Sequence, residues 1–124
     1  MNIREILHIK TGGHWLVTPS TDKTIFCREM FSEEHNDIKK MIFQFSEDRI
    51  FPNVQNIEKL DEDLCRSIMR EMGELGLIGI DTPEEFGGTD LDKITACLIT
   101  EGVGWGGSSS FGCIFGVQTG IGSL

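Results

Sequence analysis

The chain has 124 residues, 39% of them hydrophobic, which suffices for one packed domain and argues against disorder. Asp plus Glu outnumber Lys plus Arg by 20 to 11, a formal charge of −9. Sheathing a phosphate backbone requires clustered Lys and Arg, so nucleic acid is not an expected partner. Cys27, Cys65, Cys97 and Cys113 form no C-x-x-C pair, and His8, His14 and His35 add no ligand spacing, so no metal site is expected. Reduced thiols in a cytosolic protein are the plainer reading. The first ten residues lack the apolar core of a signal peptide, and no stretch is long and apolar enough for a transmembrane segment.

Residues 1–30 read as an N-terminal extension. Within it Ile6, Leu7 and Ile9 precede Thr11-Gly12-Gly13-His14, and Trp15, Leu16 and Val17 follow, the pattern of a short β-hairpin. Ser32, with Glu33 and Glu34 behind it, predicts the capped start of a helix whose apolar stripe is Ile38, Met41, Ile42 and Phe45. Pro52 marks its end or a kink. Asp61 caps a second predicted helix, striped by Leu64, Ile68, Met72 and Leu75, and Gly76 sits where a left-handed cap belongs. Residues 81–88 are dense in turn formers, so the chain reverses there. Asp90 is the expected cap of a third helix, with Leu91, Ile94, Leu98 and Val103 facing inward. Together these elements predict an all-α fold of four to five helices over residues 31–124.

Charge stops abruptly after Glu101, leaving eight glycines, four serines and nine apolar residues among the last 23 positions. An uncharged ending of this kind predicts a fragment of something longer. Gly102, Gly104 and Gly107 fit G-x-G-x-x-G, but no strand precedes them and no acid follows, so a dinucleotide site is not expected and a helix-joining loop is. Gly112, Gly116 and Gly120 are spaced four apart and stack on one helical face, with Ser108, Ser109 or Ser110 as the cap. Three helical glycines in register cost about 0.5–1 kcal/mol each relative to Ala and need compensation. On pattern alone, close packing of a neighbouring helix is favoured over a smooth wall for a thin ligand.

The series Gly73-Glu74-Leu75-Gly76-Leu77-Ile78-Gly79-Ile80, Pro83-Glu84-Glu85-Phe86-Gly87-Gly88, Leu91-Asp92, Ile99-Thr100-Glu101 and Val117-Gln118-Thr119-Gly120-Ile121-Gly122 resembles the N-terminal helical domain of the acyl-CoA dehydrogenases. The last segment is most similar to the long- and very-long-chain branch. The resemblance implies an FAD-dependent enzyme that takes an α-proton from a fatty acyl-CoA and passes the β-hydride to the flavin. Electron-transfer flavoprotein is the implied acceptor, and the implied complete subunit carries a β domain and a C-terminal bundle and assembles as a homo-oligomer. The implied location is the cytoplasm in a bacterium or the mitochondrial matrix in a eukaryote.

In that family the catalytic glutamate and most flavin contacts lie outside this domain. No catalytic or cofactor-binding residue is therefore expected here, and the chain alone is expected to be inactive and not to hold FAD. The implied contribution is a wall of the acyl cavity on the last helix, at Cys113, Ile114, Gly116, Val117, Thr119, Gly120 and Ile121. Gln118 departs from the histidine common at that place, which bears on chain-length preference. The alternative reading is a non-enzymatic helical interaction module that docks a partner on its glycine face.

Overall fold

A computed structural model describes residues 28–119. The chain divides into two units, Met1–Phe31 and Ser32–Leu124. The described part of the first contains one 3₁₀ turn, Arg28–Met30, and the predicted hairpin lies outside the described residues. In the second unit the fold is all-α among the described residues. Its helices are α1 (Glu33–Phe45), a single-turn α2 (Val54–Ile57), α3 (Glu62–Glu74), α4 (Lys93–Trp105) and α5 (Ser109–Thr119).

Helix α1 starts as its sequence predicts. The Ser32 hydroxyl accepts the His35 N–H, and His35 Nδ1 accepts the Ser32 N–H, both at 3.1 Å. This is a capping box with histidine in the place usually held by Glu or Gln. Past Phe45 the chain continues as a π turn over Ser46–Ile50 and a 3₁₀ turn over Phe51–Asn53 before α2. Pro52 thus kinks the segment, because it supplies no N–H to continue the helical ladder. The wider π turn carries Ser46 and Ile50 to the buried side.

Asp61 accepts the Leu64 N–H at 3.1 Å and starts α3, which buries Cys65, Ile68 and Met72. Its other end is a Schellman cap: Gly76 has φ 73°, its N–H reaches the Gly73 carbonyl, and the Leu77 N–H reaches Met72. Met72 and Leu77 are both buried, which supplies the apolar contact such caps carry. The chain then folds back on itself. Thr89 N–H bonds the Gly79 carbonyl at 3.0 Å, Asp90 bonds Thr82 at 3.0 Å and Leu91 bonds Ile80 at 2.7 Å. Gly88 lies so close to Thr82 that any side chain would overlap the carbonyl there.

That reversal corrects the predicted start of the next helix. Asp90 does not cap it; Asp92 does, accepting the Thr95 N–H and hydroxyl at 2.9 Å each. Asp90 instead takes φ 50°, a left-handed conformation that Asp tolerates better than most side chains, to close the loop against Thr82.

Helices α1 and α4 run side by side in the same direction. Near their starts His35 Nε2 meets Asp92 at 3.0 Å, and further along Ile42 faces Gly102 and Ile50 faces Gly106. A methyl added at Gly102 would stand 2.6 Å from both Ile42 Cγ1 and Cγ2, and one at Gly106 would stand 2.6 Å from Ile50 Cγ2. The buried Ser46 hydroxyl donates to the Gly102 carbonyl at 2.7 Å. The loop expected at residues 102–107 is therefore corrected: positions 102–105 are the last turn of α4, Gly106 is its cap, and Gly107 turns the chain with φ 75°. At Gly102 and Gly106 the glycine serves two isoleucines that need the space, whereas at Gly107 it serves the turn.

Helix α5 is held at its start by hydroxyls and one distant carboxylate. Ser108 is the cap, taking the Phe111 N–H at 3.1 Å. Glu58, just past α2, accepts the Ser108 hydroxyl at 2.6 Å and the Ser110 hydroxyl and N–H at 2.7 and 3.1 Å. Those donors hold the Glu58 carboxyl below its ordinary pKa. Phe111 and Phe115 then anchor the helix in the core beside Ile99 and Val103.

Candidate functional site

Where α4 and α5 pack against the loop after α3, they leave a groove of about 460 Å³. Its apolar floor includes Leu77, Ile80, Val103 and Phe115, and its walls include Gly104 on α4 and Gly112 and Gly116 on α5. A methyl added at any of these three glycines would meet nothing within 4 Å among the described residues. Close helix packing, the role favoured for the 112/116/120 stripe on pattern alone, is not met at Gly112 or Gly116 among the described residues, and Gly120 lies outside them. That role belongs to Gly102 and Gly106, while the stripe on α5 borders open space.

The two helices define the ends of the groove. They are joined by a short turn at residues 106–108, so Gly104 and Gly112 lie at that end and Ala96, Cys97 and Thr119 toward the other. Lys93 and Asp81 also line the groove and form an ion pair. The Lys93 ammonium holds the Asp81 carboxyl below its ordinary pKa, against the opposing effect of partial burial. Each of these charges is engaged by the other, so among the described residues the groove can hold an apolar group and presents no free carboxylate or amine. Among the described residues no cluster of His, Cys, Asp and Glu could hold a metal ion.

The seven residues predicted for the acyl wall are distributed around α5. Gly116 and Thr119 line this groove, whereas Ile114 faces a second groove of about 620 Å³ between α3 and α5. Cys113 and Val117 are exposed and line neither, and Gly120 and Ile121 lie outside the described residues. The groove also takes Ala96, Cys97, Thr100 and Gly104 from α4, which the sequence reading left out. Ala96, Thr100 and Gly104 recur every four residues, a small-residue stripe that could have revealed this wall.

Two further carboxylates and a thiol shape the surroundings. Arg49 grips Glu71 with two hydrogen bonds of 2.6 and 2.5 Å, and Ser67 adds a third, so Glu71 stays below its ordinary pKa. At Asp92 burial pushes the carboxyl up, but the Thr95 donors and His35 more than offset it and the net shift is downward. Cys65 moves the other way: burial, then the charge of Asp61, raises its thiol, so it stays protonated and unreactive.

Residues 32–124 match the family model described as acyl-CoA dehydrogenase, N-terminal domain. The chain belongs to the acyl-CoA dehydrogenase family. A probable acyl-CoA dehydrogenase of Bacillus subtilis (strain 168) is 37% identical over 116 residues, covering 94% of this chain and 19% of that protein. The mitochondrial long-chain specific acyl-CoA dehydrogenase of Sus scrofa is 30% identical over 92 residues, 73% of this chain and 21% of its own length. Among solved structures, an acyl-CoA dehydrogenase complexed with FAD from Bacillus anthracis superposes with a TM-score of 0.81 at 36% identity, over 89% of this chain and 18% of that one. The chain therefore spans about a fifth of the length of these relatives. Among the described residues no helix is long and apolar enough to cross a membrane.

Proposed function

We propose that this acyl-CoA dehydrogenase domain is part of an FAD-dependent subunit that dehydrogenates a fatty acyl-CoA between its α and β carbons, and that the α4–α5 groove forms part of the wall along the acyl chain. The observation that carries this reading is a groove with an apolar floor and three glycines whose missing side chains leave open space. A methylene chain gains about 0.8 kcal/mol for each CH₂ buried on such a surface. Glycine without a packing or turn requirement is otherwise a net loss to a helix. In this reading Gly116 and Thr119 contribute from α5 and Thr100 and Gly104 from α4; Gly120 and Ile121, proposed for the same wall, lie outside the described residues.

FAD carries a pyrophosphate, which calls for cations or converging backbone N–H groups. Among the described residues the one cation lining the groove, Lys93, is engaged by Asp81, and the remaining surface there is mostly apolar. These residues do not fit the flavin, so the reading places its site, and the residue that takes the α-proton, in other parts of the subunit. Electron-transfer flavoprotein as acceptor, assembly as a homo-oligomer, a cytoplasmic location and a preference for long chains belong to the same proposal.

Replacing Gly116 by Leu in the complete enzyme tests it. The expected outcome is a fall of at least about tenfold in kcat/KM for a long-chain acyl-CoA, equivalent to about 1.4 kcal/mol, with a four-carbon substrate little changed. Equal loss for both substrates, or none for either, would remove the groove from the acyl path. A companion measurement titrates the purified 124-residue chain with FAD: no spectral shift is expected, and a stoichiometric yellow complex contradicts the assignment.

A further inference from the structure

We propose that the groove between α3 and α5 is a docking site for an acidic amphipathic helix of a separate polypeptide. It is distinct from the α4–α5 groove and does not depend on the acyl reading. Its floor is made by Cys65 and Met69 of α3, Ile114 of α5 and Ile78, and it measures about 620 Å³. Along one wall, Glu62, Arg66 and Arg70 follow each other at single-turn intervals of α3, a spacing of about 6 Å along the helix.

Charge identifies the occupant. In a chain of net charge −9, three of the eight Lys and Arg among the described residues are in close ion pairs: Lys40 meets Asp37 at 3.3 Å, Arg49 meets Glu71 at 2.5 Å, and Lys93 pairs with Asp81. Arg66 reaches Glu62 only at 3.9 Å, and no ion pair is formed by Arg70 among the described residues. Two exposed guanidinium groups one turn apart beside an apolar floor match two carboxylates one turn apart on a helix whose apolar stripe lies on Met69 and Ile114. The methionine adapts its shape to such a stripe.

Leu60 adds an observation at the end of the same groove. Its φ is 61° and it is 66% exposed, although a left-handed position that ends a helical turn ordinarily carries glycine or asparagine. The backbone therefore holds a large apolar side chain in water at the groove mouth, where a docked helix would cover it.

The test is an anisotropy titration of the full chain, at low salt, with a labelled synthetic helix bearing Leu at i and i+4 and Glu on the flank one turn apart. Reversing charge with Arg66→Glu plus Arg70→Glu is expected to weaken binding by at least about tenfold, and exchanging the peptide's two Glu for Lys to restore it. Leu60→Gly relieves the backbone, so the chain stays folded by circular dichroism while affinity falls. Binding that ignores both variants overturns the proposal. So does a self-associated chain that the charge reversal converts to monomer, since the occupant would then be a second copy.

Discussion

Two sets of glycines on neighbouring helices follow the same four-residue spacing and do opposite things. Gly102 and Gly106 lie beneath Ile42 and Ile50, and there the absent side chain is filled by a neighbour. Gly112 and Gly116 face a groove, and there it is filled by nothing among the described residues. Spacing reports which helical face a glycine shares; the partner across that face decides whether the residue serves packing or space.

Substitution by alanine separates the two sets most directly. Gly102→Ala places a methyl against the branched, inflexible part of Ile42, and we expect a loss of about 2 kcal/mol, read as a lower urea midpoint at unchanged slope. A variant as stable as the parent would break the contrast. At the start of α5, Ser108→Ala removes both the cap of Phe111 and a donor to Glu58, and about 1 kcal/mol should go with it. Gly112→Ala should instead stabilise by about 0.5–1 kcal/mol, since the methyl meets nothing and the helix gains propensity; a loss in the same urea assay would mean the groove is already filled.

The smallest effect is in pH. Because Glu58 has a lowered pKa when folded, its contribution is complete above the ordinary value of 4.5 and declines as pH falls from there through the folded value. Glu58→Gln should therefore flatten the acid limb of the stability profile while changing its shape little near neutrality. An unaltered acid limb would mean that the Ser108 and Ser110 hydrogen bonds to Glu58 do not persist in solution.

What could be read in the sequence was local. Ser32, Asp61 and Gly76 mark helix ends through bonds to residues three positions away, and each stands where its residue type predicts. Asp90 was misleading because two acids compete two positions apart, and the choice of Asp92 depends on carbonyls at Ile80 and Thr82 and on His35, 57 residues distant. The glycine-rich end of α4 resembled a loop for the same reason: what keeps it helical is contact with Ile42, Ser46 and Ile50, far back along the chain. The groove was half legible, since the wall on α5 was sought through glycine while that on α4 is built with Ala96, Thr100 and Gly104.

Asp92 has a consequence for alignment. One carboxylate both starts α4, through Thr95, and clasps His35 beside the first turn of α1. Sliding one helix past the other by a single position would undo the clasp and carry Ile42 off the notch at Gly102 onto a neighbouring residue that has a side chain, in the same motion. The pair thus behaves like a key cut at two depths: it seats in one register or not at all.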